Sequence, residues 1–274
     1  MTTLSDSAKR GQKRRNMTPL ERLLGLVYVS VWSVSMYPPL LLNWRRKSAR
    51  AVSLDFAMLN AAGYTYLLVS MVLQFWAWDS GEAVGESRPL VSAFDMWYCG
   101  HGFTLNLVLL SQLLCGKQIW GFDREHTRRP RMKLVYSRIL QGSLVVFALL
   151  SARFIYSIVQ HGWVNSTTLQ FCNRLYALKI SMSLIKYLPQ VKHNRDRQSV
   201  EGFSIHGVAL DVTGGVASLL QLFSQLGHEQ GFSGSVLMAN FGKIGISMVT
   251  LLFNSVFVSQ WLIYRVPRPP RSKV

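Results

Sequence analysis

YPPLLLNWRRKSARAVSLDFAMLNAAGY, residues 37–64, returns in altered form as LPQVKHNRDRQSVEGFSIHGVALDVTGG, residues 188–215. An ungapped offset of 151 pairs Pro38 with Pro189, Asn43 with Asn194 and Arg46 with Arg197. It also pairs Ser48 with Ser199, Ser53 with Ser204 and Gly63 with Gly214. Self-similarity at one fixed register marks a chain built from internal repeats. Membrane carriers are commonly built that way. Each copy leaves the end of one apolar segment, crosses a short basic loop and enters the next apolar segment.

Working outward, the rest of the chain has the composition such a copy needs. Of 274 residues, 49% are apolar and 16% charged, against about 25% charged in ordinary soluble domains. Mean hydropathy is +0.19. This excludes a disordered chain, which needs low hydrophobicity, and counts against a soluble enzyme. A spanning helix needs about 20 mostly apolar residues. Seven stretches qualify, near 22–42, 54–77, 92–115, 134–158, 168–190, 204–226 and 236–264. Residues 1–21 have no apolar core, so the start does not read as a signal peptide.

The net charge of +17 sits in short clusters between the apolar runs, which argues for loop topology rather than nucleic acid. Lys and Arg crowd the loops after segments 1, 3 and 5 and the tail from Arg265, while the intervening loops are poor in them. The positive-inside rule therefore puts the C-terminus in the cytosol and the N-terminus in the lumen. The basic cluster Lys9 to Arg15 runs against this orientation. Two sequons, Asn16-Met17-Thr18 and Asn165-Ser166-Thr167, fall on the lumenal side and make Asn16 and Asn165 glycosylation candidates. Trp76, Trp78, Trp97, Trp163 and Trp261 lie near expected membrane borders, as an aromatic belt requires. The odd set Cys99, Cys115 and Cys172 contains no CxxC pair, so it signals no disulfide framework and no zinc site. A Cys99–Cys172 bridge stays open, because both lie toward the same face.

Repeats of equal orientation need an even number of spans between equivalent helices, as segments 1 and 5 provide. The expected fold is an all-α membrane protein with seven transmembrane helices. Two parallel three-helix repeats are joined by one linking helix. The expected divisions are a basic lumenal tail, 1–21, and a first repeat, 22–115, carrying the motif at 37–56. Residues 116–166 then hold a cytosolic loop, the linking helix and a lumenal loop. The second repeat, 167–264, carries its motif at 187–206, and a basic cytosolic tail covers 265–274.

Ionisable residues inside the membrane need a reason, since each costs about 2.5–3.5 kcal/mol at a helix centre. Asp211 falls about 10 Å into its span at 1.5 Å per residue, with Asn60 as its repeat counterpart. Such a pair suits a polar substrate site, and Asp211 is a candidate proton-coupling group; the alternative is a buried Asp satisfied by Lys or Ser. Lys179 is too deep to snorkel easily, so it should meet an anion. Lys186 divides between gate and structure, and Lys243 reads as an interfacial anchor. His101 is a proton-relay candidate or a satisfied interior residue. Pro38 and Pro189 remove helix hydrogen bonds, as hinges or as shapers of helix ends. Asp55, Asn43 and Asn194 sit where capping competes with gating.

Pro189-Gln190, Asn194, Ser199, Glu201-Gly202 and Ser204 resemble the PQ-loop motif. Lys186-Tyr187-Leu188-Pro189-Gln190 and Leu210-Asp211-Val212-Thr213-Gly214-Gly215 resemble the cystinosin family in particular. So do Tyr37-Pro38, Asn43-Trp44-Arg45-Arg46-Lys47-Ser48, Ser53 and Asp55-Phe56. The resemblance implies a 3+1+3 fold of the PQ-loop and SWEET type. It also implies proton-coupled export of L-cystine from lysosome or vacuole to cytosol by alternating access, with the proton as coupling ion and no other cofactor. Carried over by position, it implies substrate contact at Lys179, proton coupling at Asp95 and gating at Gln190. The chain departs from the family at Pro39, Gln198, Gly207 and Asn254. The alternatives are an exporter of cationic amino acids and a cargo receptor like the KDEL receptors. An enzyme is least expected: HExxH, GxSxG and P-loop patterns are lacking, and His206 with Asp211 has no nucleophile in a matching context. No metal site and no nucleic-acid partner are expected.

Overall fold

The computed structural model describes residues 17–49, 52–77, 89–122, 131–198 and 205–264. Among them are nine helices and no strand. They are α1 (Pro19–Arg45), α2 (Leu54–Trp76), α3 (Ala93–Leu114), α4 (Gly116–Trp120) and α5 (Leu134–His161). The rest are α6 (Asn165–Arg197), α7 (Ile205–Glu229), α8 (Gly234–Ala239) and α9 (Phe241–Tyr264). The chain is thus an all-helical membrane-type fold. Five helices are long and apolar enough to cross a bilayer: α1, α2, α5, α7 from Gly207 to His228, and α9. The other two long helices, α3 and α6, carry buried polar residues, among them Asp95, Asn106, Gln112 and Lys179, which lower their hydropathy.

The ends of the helices follow from local chemistry. Thr18 caps α1 in a reciprocal box, with Glu21 N donating to Thr18 Oγ1 at 3.2 Å and Thr18 N to Glu21 Oε2 at 2.9 Å. Pro19 then occupies the first turn, where its missing N–H costs nothing. Helix α1 therefore starts three residues before the apolar run near 22. Ser92 and Asp95 build the same box at the start of α3. The last apolar run, expected from 236, is broken at Asn240 into α8 and α9. Asn240 Oδ1 there accepts the N–H of Leu90 at 2.7 Å. Helix α6 continues past Pro189 to Arg197, beyond the apolar limit near 190, because a polar run can extend a helix that no longer needs lipid.

Packing repeats with the sequence. In the first half α3 packs on both α1 and α2; in the second half α9 packs on both α6 and α7. Across the halves, α1 lies along α7 and α2 along α6. Helix α5 packs mainly on α2 and α6, and it is mostly surface: 11% of its most apolar stretch is buried, against 61% for α2. Its outward side chains include Leu144, Val145, Leu149, Ile155 and Val159, a lipid-type face.

The duplication reaches single dihedrals. The non-glycine residues with positive φ among the described residues are Lys47 (47°) and Gln198 (50°), partners at the 151 offset. Each ends the first helix of its half in the left-handed region. There its N–H donates three residues back, Lys47 to Trp44 O at 3.3 Å and Gln198 to Arg195 O at 3.2 Å. The departure Gln198 thus fills a site defined by backbone geometry.

Candidate functional site

A cavity of about 250 Å³ lies between the two halves, with walls from α1, α2, α3, α6, α7 and α9. Its lining draws on the C-terminal parts of α1, α3 and α6 and the N-terminal parts of α2 and α7. It therefore lies toward the end of the bundle where the repeated motifs turn. Two matched glycines let the halves approach. Gly63 lies against the aliphatic chain of Lys179, and Gly214 against the indole of Trp32. That indole donates to the Asp211 carbonyl at 3.2 Å.

The polar lining forms two sets related by the repeat. In one, Lys186 Nζ donates to Asn60 Oδ1 at 2.7 Å, and Asn60 Nδ2 to Asn106 Oδ1 at 2.5 Å. In the other, Ser35 and Asn254 lie beside the Asp211 carboxylate. Ser35 is the partner of Lys186 at offset 151, and Asn106 the partner of Asn254 at offset 148. Both asparagines are held alike: Asn106 Nδ2 donates to Gly102 O at 2.7 Å, and Asn254 Nδ2 to Thr250 O at 2.9 Å. The frame is shared, and one set is cationic where the other is anionic.

Lys179, 5% exposed, holds its ammonium 4.1 Å from the Tyr64 ring centroid. Tyr64 and Tyr98 share a hydroxyl hydrogen bond of 2.9 Å that closes the cavity at its inner end. Among the described residues the ion pairs are Glu21–His228 and Asp95–Lys243. Lys179 and Lys186 therefore face the cavity without a carboxylate at ion-pair distance. The anion expected beside Lys179 is absent from its described surroundings, and the Tyr64 ring occupies that place as a cation–π partner.

A second polar cluster lies beyond Tyr64 and Tyr98. Asp95 accepts from Tyr28 Oη at 2.7 Å and pairs with Lys243 Nζ at 3.0 Å. Lys243 also donates to Gln221 Oε1 at 2.8 Å. Lys243 is thus no interfacial anchor: it is buried, and its ammonium is held between Asp95 of α3 and Gln221 of α7. It is the repeat partner of Asp95 at offset 148.

The remaining expected residues lie elsewhere. His101 shares a 2.9 Å hydrogen bond with Tyr37 outside the cavity lining. Asp55 Oδ1 accepts the N–H of Lys133 at 2.9 Å, which ties the start of α2 to the start of α5. Pro38 and Pro39 sit inside an unbroken α1, and Pro189 and Gln190 inside α6. Asn43 and Asn194 are buried and bond Gln112 and Gln260, each at 3.0 Å. Asn165 is wholly buried as the first residue of α6, so the folded chain does not present it to solvent. Asn16 and the tails 1–16 and 265–274 lie outside the described residues. Cys99 and Cys172 are free, buried thiols, so the bridge left open by the sequence is not formed. Sequence reasoning missed Ser35, Asn106, Gln112, Gln260 and the burial of Lys243. The signal that finds all but Ser35 is the second offset, 148, which relates α3 to α9; Ser35 follows from offset 151, as the partner of Lys186.

A duplicated helical bundle with a charged cavity between its halves is the architecture of a membrane carrier. The PQ loop repeat family model matches residues 20–80 and 171–230, the two copies seen in the fold. The chain is 53% identical over 250 residues to a cystine transporter of Saccharomyces cerevisiae, covering 91% of this chain and 95% of that one. It is 29% identical to a cystinosin homolog of Dictyostelium discoideum, over 90% and 82% of the two chains. It is 30% identical to cystinosin of Bos taurus, over 90% of this chain and 64% of that one. The chain belongs to the PQ-loop repeat family, in its cystinosin branch.

Proposed function

We propose that this chain exports cystine, coupled to protons, from the lumen of a lysosome or vacuole to the cytosol. It works by alternating access between two three-helix repeats joined by the linking helix α5. Cystine transport is the activity named for the 53% identical relative. The observation that carries the reading is the charge pattern of the cavity: among the described residues Lys179 and Lys186 line it with no carboxylate at ion-pair distance, and Asp211 lies in the opposite set, near enough to Lys186 to act on its charge through space.

L-Cystine brings two carboxylates and two ammonium groups. The two lysines suit the carboxylates as charge-assisted donors, and Asp211 suits an ammonium or a proton. Asn60 and Asn106 fix the orientation, and the Trp32, Tyr64 and Tyr98 rings surround the apolar middle. A cationic substrate alone would bring further positive charge to a cavity that already holds two ammonium groups. The basic residues Arg45, Arg46 and Lys47 end and follow α1 at the motif end. That end is therefore assigned to the cytosol by the positive-inside rule, with the N-terminus lumenal and the C-terminus cytosolic. An acidic lumen then supplies the driving protons.

The test is labelled-cystine flux in proteoliposomes, with and without a proton gradient, and with lysine and arginine as competitors. The expected outcome is flux accelerated by the gradient and left intact by the competitors. Gradient-insensitive flux would remove the coupling. Displacement by lysine or arginine would move the substrate to cationic amino acids. Peptide binding without flux would move the chain to the cargo-receptor class.

A further inference from the structure

Both halves carry the same hydrogen-bond clamp just past their prolines. Asn43 Nδ2 donates to Gln112 Oε1 at 3.0 Å, and Gln112 Nε2 donates back to Leu40 O at 3.2 Å. In the other half Asn194 Nδ2 donates to Gln260 Oε1 at 3.0 Å, and Gln260 Nε2 to Val191 O at 2.9 Å. Asn43 and Asn194, like Leu40 and Val191, are partners at offset 151, and the glutamines are partners at offset 148. All four amide side chains are buried. One glutamine thus grips a side chain and a carbonyl three residues apart on one face of the helix.

The position of the clamp gives it a task. Pro38 and Pro39 remove two consecutive N–H donors from α1, and Pro189 removes one from α6. Beyond them each helix end is held less firmly to its own first part. The clamp fastens that end to the third helix of the same half, α3 or α9. We infer that Gln112 and Gln260 are positioning residues that make the motif end of each half move as one body with its third helix. Bending at the prolines then shifts Asn106 and Asn254, on those third helices, instead of dissipating in a loose helix end. The transport role rests on the proposed function; the mechanical role does not.

Two readouts keep those apart. Spin labels are placed in a Cys115→Ser background, on Leu41→Cys with Leu114→Cys for α1–α3, and on Arg195→Cys with Leu262→Cys for α6–α9. In Gln112→Leu the α1–α3 distance distribution should broaden or split while the α6–α9 distribution stays unchanged; Gln260→Leu should do the reverse. Cystine flux should fall on the order of tenfold in each, as displacement of remote positioning groups does. The exchange Asn43→Gln with Gln112→Asn keeps both amides and should recover a single narrow distance. Unchanged distances in both glutamine variants, or broadening in both pairs from either one, would overturn the inference. Changed distances in a protein that moves no cystine would leave the clamp standing and overturn the proposed substrate.

Discussion

The two halves share a frame and differ in charge. At frame positions they are alike: Asn43 and Asn194, Gln112 and Gln260, Asn106 and Asn254 make the same bonds. Where the halves face each other they diverge. Ser35 stands against Lys186, Asn60 against Asp211, Tyr28 against Lys179 and Asp95 against Lys243. The divergence is complementary, since the last two form an ion pair with each other and Asn60 and Asp211 line one cavity. A duplicated bundle thereby keeps its geometry in hydrogen bonds that both copies need, and places chemistry where the copies meet.

The largest effect should come from the partners that pair with each other. Lys243→Ala leaves Asp95 buried and unpaired, and should cost about 3–5 kcal/mol of stability, read as a lowered melting temperature in detergent. The exchange Asp95→Lys with Lys243→Asp should recover much of that loss. A single-variant loss below about 1 kcal/mol would place the pair in solvent.

Next, Asp211→Asn makes the second half match the first at Asn60. Proton-driven flux should fall about 100-fold, the scale of losing a positioned proton-transfer group, while exchange without a gradient falls less. Equal loss of both would make Asp211 a binding group only.

The matched glycines give a smaller, graded test. A Cβ at Gly214 meets the Trp32 indole, whereas one at Gly63 comes 3.1 Å from a flexible lysine methylene. Gly214→Ala should cost about 1–3 kcal/mol, as overpacking does, and Gly63→Ala clearly less. Equal melting temperatures for the two variants would show that Trp32 yields freely. The smallest effect is expected at Lys179. Lys179→Ala should raise the apparent KM for cystine about tenfold, the worth of one charge-assisted hydrogen bond. An unaltered KM would remove Lys179 from the substrate's carboxylate.

Much of this frame was legible from residue order. The six identities at offset 151 located α1–α2 and α6–α7, because prolines, buried asparagines and glycines at close helix approaches tolerate few replacements. Asn60, Lys179 and Asp211 stood out because charge and amide are costly in apolar runs, and all three line the cavity. The third helices were harder. Their copy is shifted by three residues, and its shared polar residues, Asn106/Asn254, Ser111/Ser259 and Gln112/Gln260, are few among interchangeable apolar ones. Lys243 misled because a lysine near a helix start usually reaches water. Here its side chain turns inward to Asp95 and Gln221, which only tertiary structure reveals.

The uneven position of α5 has a mechanical consequence. Two seams join the halves: α2 with α6, propped from outside by α5, and α1 with α7, on which α5 does not pack to a comparable extent. In the proposed transport cycle, opening the first seam would carry α5 along, whereas opening the second would not. The side of the bundle that carries Ser35 and Asp211 is thus the one that could part without moving the linking helix.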